Sequence, residues 1–267
     1  MISLLVNAPS LLQPFHSATY ADNASSPEAQ SVSPIRTKRN VIDKTKLWPN
    51  GSTLKIALYD VNEEEAKAIK DAINEWKPYV NLKFDFVLGE EGDIRIALNH
   101  INNTYGTAAG IDAKKIPPHL PTMILLDDIH SPKFRFVALH EFGHGLGAMH
   151  AHQHPDSGIP WDRQKAYDHL LKRYGWTQDL VDKNILPLER SDKYSYQPYD
   201  GDSIMHYEVT DDWTSGGWGQ SENWDISDGD KAQMQEAYPK PKPPVPAPLS
   251  KALLSARFDE PTQSLTE

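Results

Sequence analysis

The sequence predicts an α+β domain, with a mixed sheet backed by helices in its first half and mostly helices and loops in its second half. Two observations predict this. Apolar runs of strand length surround a long helical pattern before His150, and the patterns after His150 are helical or loop-like. At 267 residues, of which 39% are apolar, the chain is long enough for one such domain with tails.

Apolar residues that alternate or run continuously over a strand length predict the sheet. The predicted strands are Leu54 to Tyr59, Leu82 to Val87 and Ile94 to Leu98, with a further candidate at Met123 to Leu126. Helical spacing predicts the elements of the second half. These helices are expected near Arg163 to Tyr174, Gln178 to Asn184 and Asp228 to Ala237.

A first amphipathic helix is predicted from about Glu63 to Lys77. Asn62 and Glu65 have the spacing of a capping pair, and Pro78 stops the helix. Four apolar residues at helical spacing are expected to face the sheet, namely Ala66, Ile69, Ile73 and Trp76.

The two ends of the chain are predicted to lie outside the domain. A flexible leader is predicted over residues 1–39, because residues 13–39 are rich in Ser, Ala, Pro and Gln and lack hydrophobic periodicity. The first residues resemble a secretory signal, but no Lys or Arg precedes the apolar run and Pro9 interrupts it, so a plain leader stays open. A signal would make the protein secreted, the localisation we expect. Residues 240–267 predict a proline-rich linker and a tail with one weak helix at Leu249 to Phe258.

The composition excludes several kinds of site. The chain has no cysteine, so disulfides, thiolate ligands and cysteine nucleophiles are absent, and a metal site must use His, Asp or Glu. The net charge of −10 argues against a sequence-independent nucleic-acid binder. No run reaches the roughly 18 apolar residues of a membrane span. We therefore expect a monomer, folded over residues 40–239, without nucleic-acid partners or membrane insertion.

A metal site is predicted in the segment Phe134 to Gly147, which has the pattern of a helix that ends at a glycine. His140 and His144 stand four residues apart, so both imidazoles project from one helix face. Gly147 accepts the left-handed conformation that ends a helix, and His150 then returns to the metal. Three neutral nitrogen ligands that leave a position for water are typical of catalytic zinc, and we expect one Zn²⁺ per chain.

Glu141 follows the first predicted ligand and is the predicted general base. It is turned away from the metal enough not to be an obligatory ligand, yet it is near enough to activate a zinc-bound water. A zinc-binding interaction module without catalysis is the alternative from another functional class. Such a module would have no need of the glutamate at position 141.

The string H-E-x-x-H-x-x-G-x-x-H, from His140 to His150, resembles the signature of the metzincin zinc peptidases. Their methionine turn is resembled by a later segment, Ser203-Ile204-Met205-His206-Tyr207, whose residues look most like those of the astacin branch. Leu47-Trp48-Pro49-Asn50-Gly51 after Lys38-Arg39-Asn40 is similar to the start of an astacin-type domain. The resemblance covers most of residues 40–239. It implies a zincin-like fold with a twisted mixed sheet, two long helices, a C-terminal subdomain of mostly helix and loop, and an active-site cleft between them.

The resemblance also implies a function and further site residues. It implies a metalloendopeptidase that hydrolyses peptide bonds in proteins. Met205 would lie beneath the zinc as a hydrophobic floor, and Tyr207 would stabilise the transition-state oxyanion. The segment from Tyr105 to Gly110 would be a sheet-edge strand that pairs with an extended substrate. Its candidate substrate-binding residues are Tyr105, Gly106 and Thr107.

The sequence departs from astacins proper at three points. Ala151 stands where astacins have a glutamate linked to the mature N-terminus, the usual disulfides are absent, and the leader has no aspartate-switch motif. Inhibition by residues 1–39 is therefore unsupported. The chain is similar to cysteine-free single-domain relatives that carry H-x-H-Q-x-P and I-P-W-D after the zinc string, here at His150 to Pro155 and Ile159 to Asp162.

The remaining histidines and tryptophans have two possible roles each. His152 and His154 are expected either beside the zinc ligands without binding the metal or facing solvent, because the predicted coordination is already filled. His206 is expected to pack or to form hydrogen bonds. Trp213 and Trp218 are candidate substrate-binding residues, with closure of the lower half of the domain as the alternative.

Overall fold

The computed structural model describes residues 40–89, 91–99 and 105–241. The predictions for the leader and for the tail, with its weak helix at Leu249 to Phe258, lie outside the described residues. No helix within the described ranges combines the length and apolar character that a bilayer crossing requires.

The described residues form seven strands. They are β1 (Val41–Asp43), β2 (Thr53–Leu58), β3 (Lys83–Leu88), β4 (Ile94–Asn99), β5 (Gly106–Thr107), β6 (Met123–Leu126) and β7 (Tyr194–Tyr196). Five of them make one sheet in the order β3-β2-β4-β6-β5, which is parallel except for β5 at its edge. The predicted mixed sheet is confirmed.

The same ranges contain five α-helices. They are α1 (Glu63–Asn74), α2 (Pro132–Gly145), α3 (Arg163–Tyr174), α4 (Gln178–Asn184) and α5 (Asp228–Ala237). The predicted bounds of α3, α4 and α5 are confirmed. The predicted end of α1 at Lys77 is wrong, because α1 ends at Asn74 and the chain then tightens into a 3₁₀ turn at Lys77–Tyr79, which has Pro78 in its first positions.

Helix α1 has the predicted cap and the predicted buried face. The Asn62 side chain accepts from the backbone N–H of Glu65, and the Glu65 carboxylate accepts from the backbone N–H of Asn62. The four apolar residues expected to face the sheet lie in the main core, with at most 5% of their surface exposed. Their burial holds α1 on the sheet.

Helix α2 begins earlier than predicted and is buried on most of its surface. Ser131 caps it by accepting from Lys133 N–H, and Pro132 occupies the first turn, where its missing N–H is not needed. Its residues from Phe136 to Gly143 are all buried. A helix packed on all sides is rigid, so side chains on it hold fixed positions.

Two hydrophobic clusters meet at the metal-binding motif. The first contains the sheet, α1, α2 and Met205. The second joins α3 and the end of α4 to Val209 and Trp213, and Tyr207 packs against it. The methionine turn therefore lies between the two cores, where the sequence predicts the cleft.

Strands β1 and β7 were not predicted. They pair antiparallel, with Val41 opposite Tyr196. β1 also lies along the turn after α2, because Asp43 N–H donates to Gly147 O and Met149 N–H donates to Val41 O. This short strand thus braces the turn that leads to the third histidine.

Candidate metal centre

The three histidines of the motif come together. His140 and His144 project from α2 and His150 from the turn beyond it, and one nitrogen from each ring lies within 4.8 Å of the other two. The predicted helix break at Gly147 is confirmed, since its φ is 97°. Gly147 N–H donates to His144 O and Ala148 N–H to Gly143 O, the hydrogen bonds of a Schellman motif. This turn directs His150 back towards the helix.

In each of the three rings, the Nδ1 atom forms a hydrogen bond with an oxygen acceptor. His140 Nδ1–H donates to Ile204 O at 2.8 Å, and His144 Nδ1–H donates to Ala148 O at 2.7 Å. His150 Nδ1–H donates to the Gln153 Oε1 atom at 3.2 Å. Because only the Nδ1–H tautomer makes these bonds, all three Nε2 atoms carry lone pairs.

The Nε2 atoms are arranged as a metal-binding donor set. His144 Nε2 and His150 Nε2 lie 3.0 Å apart, and His140 Nε2 is buried without a hydrogen-bond partner. Lone pairs this close repel one another, and a buried nitrogen without a partner loses solvation, unless a cation lies between them. Three neutral imidazoles fit Zn²⁺, which favours nitrogen ligands and tetrahedral geometry.

Burial keeps the three rings neutral. It lowers the pKa of His140 to about 4 and that of His144 to about 3, and it lowers the pKa of His150 well below its usual value. A proton and a metal ion compete for the same lone pair, so rings that stay unprotonated at neutral pH are ready to bind metal.

Glu141 is buried beside the first ligand, with 4% of its surface exposed. Burial raises the pKa of its carboxyl group to about 8. A divalent cation nearby would lower that pKa again, because it favours the carboxylate. A carboxyl group whose pKa lies near neutrality suits proton transfer in either direction.

Tyr207 lies against the ligand rings. Its ring centroid is 4.1 Å from that of His150 and 5.5 Å from that of His140. Burial raises the pKa of its hydroxyl group, which therefore remains a hydrogen-bond donor at neutral pH. Its backbone N–H donates to His152 Nδ1 at 3.3 Å, and His152 Nε2–H donates to Asn184 O.

Met205 lies beneath the helix that carries the ligands. It is 1% exposed, and a Cβ atom added to Gly143 would lie 2.5 Å from its Sδ atom. The glycine in the middle of the H-E-F-G-H segment therefore makes room for the methionine. Met205 thus packs against the helix segment between His140 and His144.

The methionine turn is held by Asp230, which sequence reasoning missed. Its carboxylate accepts from Ser203 Oγ–H at 2.6 Å and from Ile204 N–H at 2.9 Å, and it also accepts from the Asn40 side chain. Since Ile204 O accepts from His140, Asp230 indirectly fixes the first ligand. The sequence signal is its capping box with Ser227, but the tertiary partners of that box are not visible in the sequence.

The three further histidines discussed above, His152, His154 and His206, are buried and hydrogen-bonded. His152 and His154 are at most 1% exposed, so the alternative that they face solvent is wrong. His206 forms hydrogen bonds with Tyr199 and with Tyr207 O, as predicted. Gln153, which accepts from His150, was the other residue missed by sequence reasoning.

The substrate-binding candidates fall into two groups. Gly106 and Thr107 form β5 at the sheet edge, and burial, followed by the nearby Tyr207 and Glu141, raises the pKa of Tyr105 well above its usual value. Trp213 is 5% exposed within the second core, so its side chain is placed for packing, the alternative role given above. Trp218 packs against the same cluster and stays partly exposed.

Solved structures similar to this chain include two of myroilysin. One is 31% identical with a TM-score of 0.70, covering 76% of this chain and 100% of that chain, and the other is 30% identical with a TM-score of 0.56, covering 77% and 91%. High choriolytic enzyme 1, a hatching enzyme zinc-protease from the medaka fish Oryzias latipes, is 14% identical with a TM-score of 0.51 and covers 73% and 95%. That third likeness concerns the fold alone. No protein-family model and no curated protein matches the sequence.

The sequence identity to myroilysin and the geometry of the three histidines lead to the same conclusion. The 31% identity extends over the whole length of the first myroilysin chain, and the three histidines of the metzincin string converge in space. The protein is accordingly a zinc-dependent endopeptidase rather than a metal-binding module without catalysis. The chain belongs to the astacin-like metzincins, a family of zinc metallopeptidases.

Proposed function

We propose that His140, His144 and His150 hold one zinc ion per chain through their Nε2 atoms and that Glu141 is the general base of peptide-bond hydrolysis. The observation that carries this proposal is the hydrogen bonding of all three Nδ1 atoms, which leaves three Nε2 lone pairs in one buried cluster. Bound there, zinc would act as a Lewis acid towards water and the scissile carbonyl group.

Two side chains beside the cluster take different parts in the reaction, Glu141 in proton transfer and Tyr207 in stabilising the oxyanion. Glu141 accepts a proton from the attacking water and returns it to the leaving amine. Its buried position keeps bulk water from competing for that proton. The Tyr207 hydroxyl group donates a hydrogen bond to the oxyanion, a charge that exists only after attack, so its contribution belongs to kcat more than to KM.

We expect the substrate to be a protein or peptide that is cleaved at internal bonds, the activity of a metalloendopeptidase. β5 supports this assignment, since it is a sheet edge to which an extended peptide could add as a further strand. Tyr105, Gly106 and Thr107 would line that edge, and the partly exposed Trp218 would contact the substrate from the opposite subdomain.

The remaining expectations concern the whole protein. We propose a catalytic domain over residues 40–239, after a leader and before a proline-rich tail, acting as a secreted monomer without nucleic-acid partners. The complete burial of Asn40 and Val41 supports a domain that begins at residue 40.

The experiment compares the wild type with Glu141→Gln and with Glu63→Gln, a control on the exposed first turn of α1. Zinc content is measured together with hydrolysis of a denatured protein, for the full chain and for residues 40–239. We expect one zinc per chain in all three proteins, with turnover abolished only in Glu141→Gln. A chelator should abolish the activity of the other two.

Two outcomes would contradict this proposal. Wild type that binds zinc without hydrolysing any protein, even after trimming of the leader, would favour the zinc-binding module. A folded wild type that binds no zinc would refute the ligand assignment itself.

A further inference from the structure

We propose that Gln153 is a positioning residue that fixes the ring of His150 for the metal. The inference rests on the zinc site proposed above. Gln153 is completely buried, and its Oε1 atom accepts from His150 Nδ1–H. Its side-chain partners are His150 and two backbone carbonyl groups, so its effect on the metal passes through His150.

The orientation of the Gln153 amide is determined by two backbone carbonyl groups. Its Nε2 atom donates to Lys183 O at 2.9 Å and to Leu186 O at 3.1 Å. Carbonyl oxygens only accept hydrogen bonds, so the amide cannot turn over without losing both bonds. The oxygen of the amide must therefore face His150.

The two carbonyl groups belong to a helix end that needs donors. Lys183 lies in the last turn of α4, whose final carbonyl groups have no partner within the helix, and Leu186 follows just after it. The Gln153 backbone is tied to the same region, because its carbonyl oxygen accepts from Leu188 N–H. The third ligand is thus anchored to the second core through one side chain.

His150 differs from the other two ligands in this respect. His140 and His144 donate to backbone carbonyl groups, which no substitution removes, whereas the acceptor for His150 is a side chain. Without that acceptor the ring could move its proton to Nε2, the atom that must bind the metal. Loss of such an acceptor lowers metal affinity by about 10- to 100-fold in other proteins.

Two substitutions of Gln153 separate its effect on the position of the His150 ring from its effect on the stability of the fold. Gln153→Met and Gln153→Glu both remove the amide N–H groups that donate to Lys183 O and Leu186 O, so both should lower the unfolding temperature. Only Gln153→Glu keeps an oxygen that accepts from His150. The control is Gln164→Met, an exposed glutamine on α3 whose amide donates to Asp168.

Zinc affinity is measured on the full chain by competition with a chelator, and the visible spectrum of the cobalt(II)-loaded protein reports ligand geometry. We expect Gln153→Met to bind zinc about 10- to 100-fold more weakly than wild type and to change the cobalt spectrum. Gln153→Glu and Gln164→Met should stay close to wild type in both measurements.

The proposal is overturned if Gln153→Met binds zinc as tightly as Gln164→Met, or if Met and Glu weaken binding equally. If Gln153→Met fails to fold, nuclear magnetic resonance of the zinc-loaded wild type tests the proposal instead. Its His150 Nδ1 proton, assigned through the carbon-bound protons of the same ring, should exchange slowly with water, and fast exchange would overturn the proposal. Wild type that binds no zinc would instead refute the underlying zinc site.

Discussion

The ligand histidines lie in a pocket whose burial opposes any positive charge. An ordinary histidine has a pKa of 6.5, but burial lowers the value for His140 to about 4 and that for His144 to about 3. Below pH 6.5 the unfolded chain therefore binds protons that the folded, metal-free chain does not bind. Because the unfolded state binds more protons, its relative free energy falls as the pH falls.

This gives a prediction for the chelator-treated protein. The contribution of these two histidines to its free energy of unfolding should be constant above about pH 6.5 and decrease by several kcal/mol as the pH falls from about 6.5 to about 4. Urea titrations at a series of pH values measure it. The difference from His144→Asn isolates one buried ring from Glu141, whose raised pKa acts in the opposite direction. Wild type should lose stability relative to His144→Asn as the pH falls below about 6.5, and a difference that does not change with pH would contradict the prediction.

The residues that touch the metal position could be predicted from the sequence, but those that orient them could not. His140, His144 and His150 share one local string in which helix geometry and a glycine determine their relation. Gln153 is three residues from His150, yet its role depends on two carbonyl groups at the end of α4 and just after it, 30 and 33 residues further on. Asp230 depends in the same way on Ser203, 27 residues before it.

Among the elements, α2 offers a test of how the methionine floor is packed. Gly143→Ala would gain about 1 kcal/mol of helix propensity. Its Cβ atom would lie 2.5 Å from Met205 Sδ, and overpacking of this kind costs about 1–3 kcal/mol. Met205 is fully enclosed, so we expect the clash to outweigh the gain, with a lower unfolding temperature and weaker zinc binding.

Gly145→Ala is the matched control on the same helix. Its Cβ atom would lie 3.2 Å from the flexible end of Met123, so a small shift relieves the contact. Thermal unfolding and chelator competition on both variants make the comparison. Equal effects of the two substitutions would show that Met205 places no special demand on Gly143.

The elements that could be predicted are those with local start signals. Helices α3, α4 and α5 begin where Asp162, Thr177 and Ser227 cap them through their side chains. Strands β1 and β7 have three residues each, which is too short for a periodic pattern. They form because distant parts of the chain meet, and that meeting has no local signal.

For the whole molecule, β1 should contribute far more to the stability of the fold than its three residues suggest. A chain that starts at residue 44 lacks Val41 and Ile42, which are at most 2% exposed, and burying each contributes about 1.5–3 kcal/mol. It also lacks the Asn40 side chain that binds Ser203 and Asp230. We expect it to unfold at a clearly lower temperature than a chain that starts at residue 40.

Thermal unfolding of the two chains, each with and without added zinc, measures this effect. Zinc should protect the shorter chain less, because the turn before His150 has lost its hydrogen bonds with β1. Unfolding temperatures that agree within error would show that β1 does not support the site.

The contacts of Asn40 also bear on how the protein folds. Asn40 binds Ser203, 163 residues later, and Asp230, 190 residues later. Closing so long a loop loses chain entropy before any contact compensates for it, and contacts of this separation slow folding. We therefore expect β1 to dock last, after the sheet and α2 have formed. The newly made chain would pass through a stage with an open metal turn, so zinc supply during synthesis would influence the yield of folded enzyme.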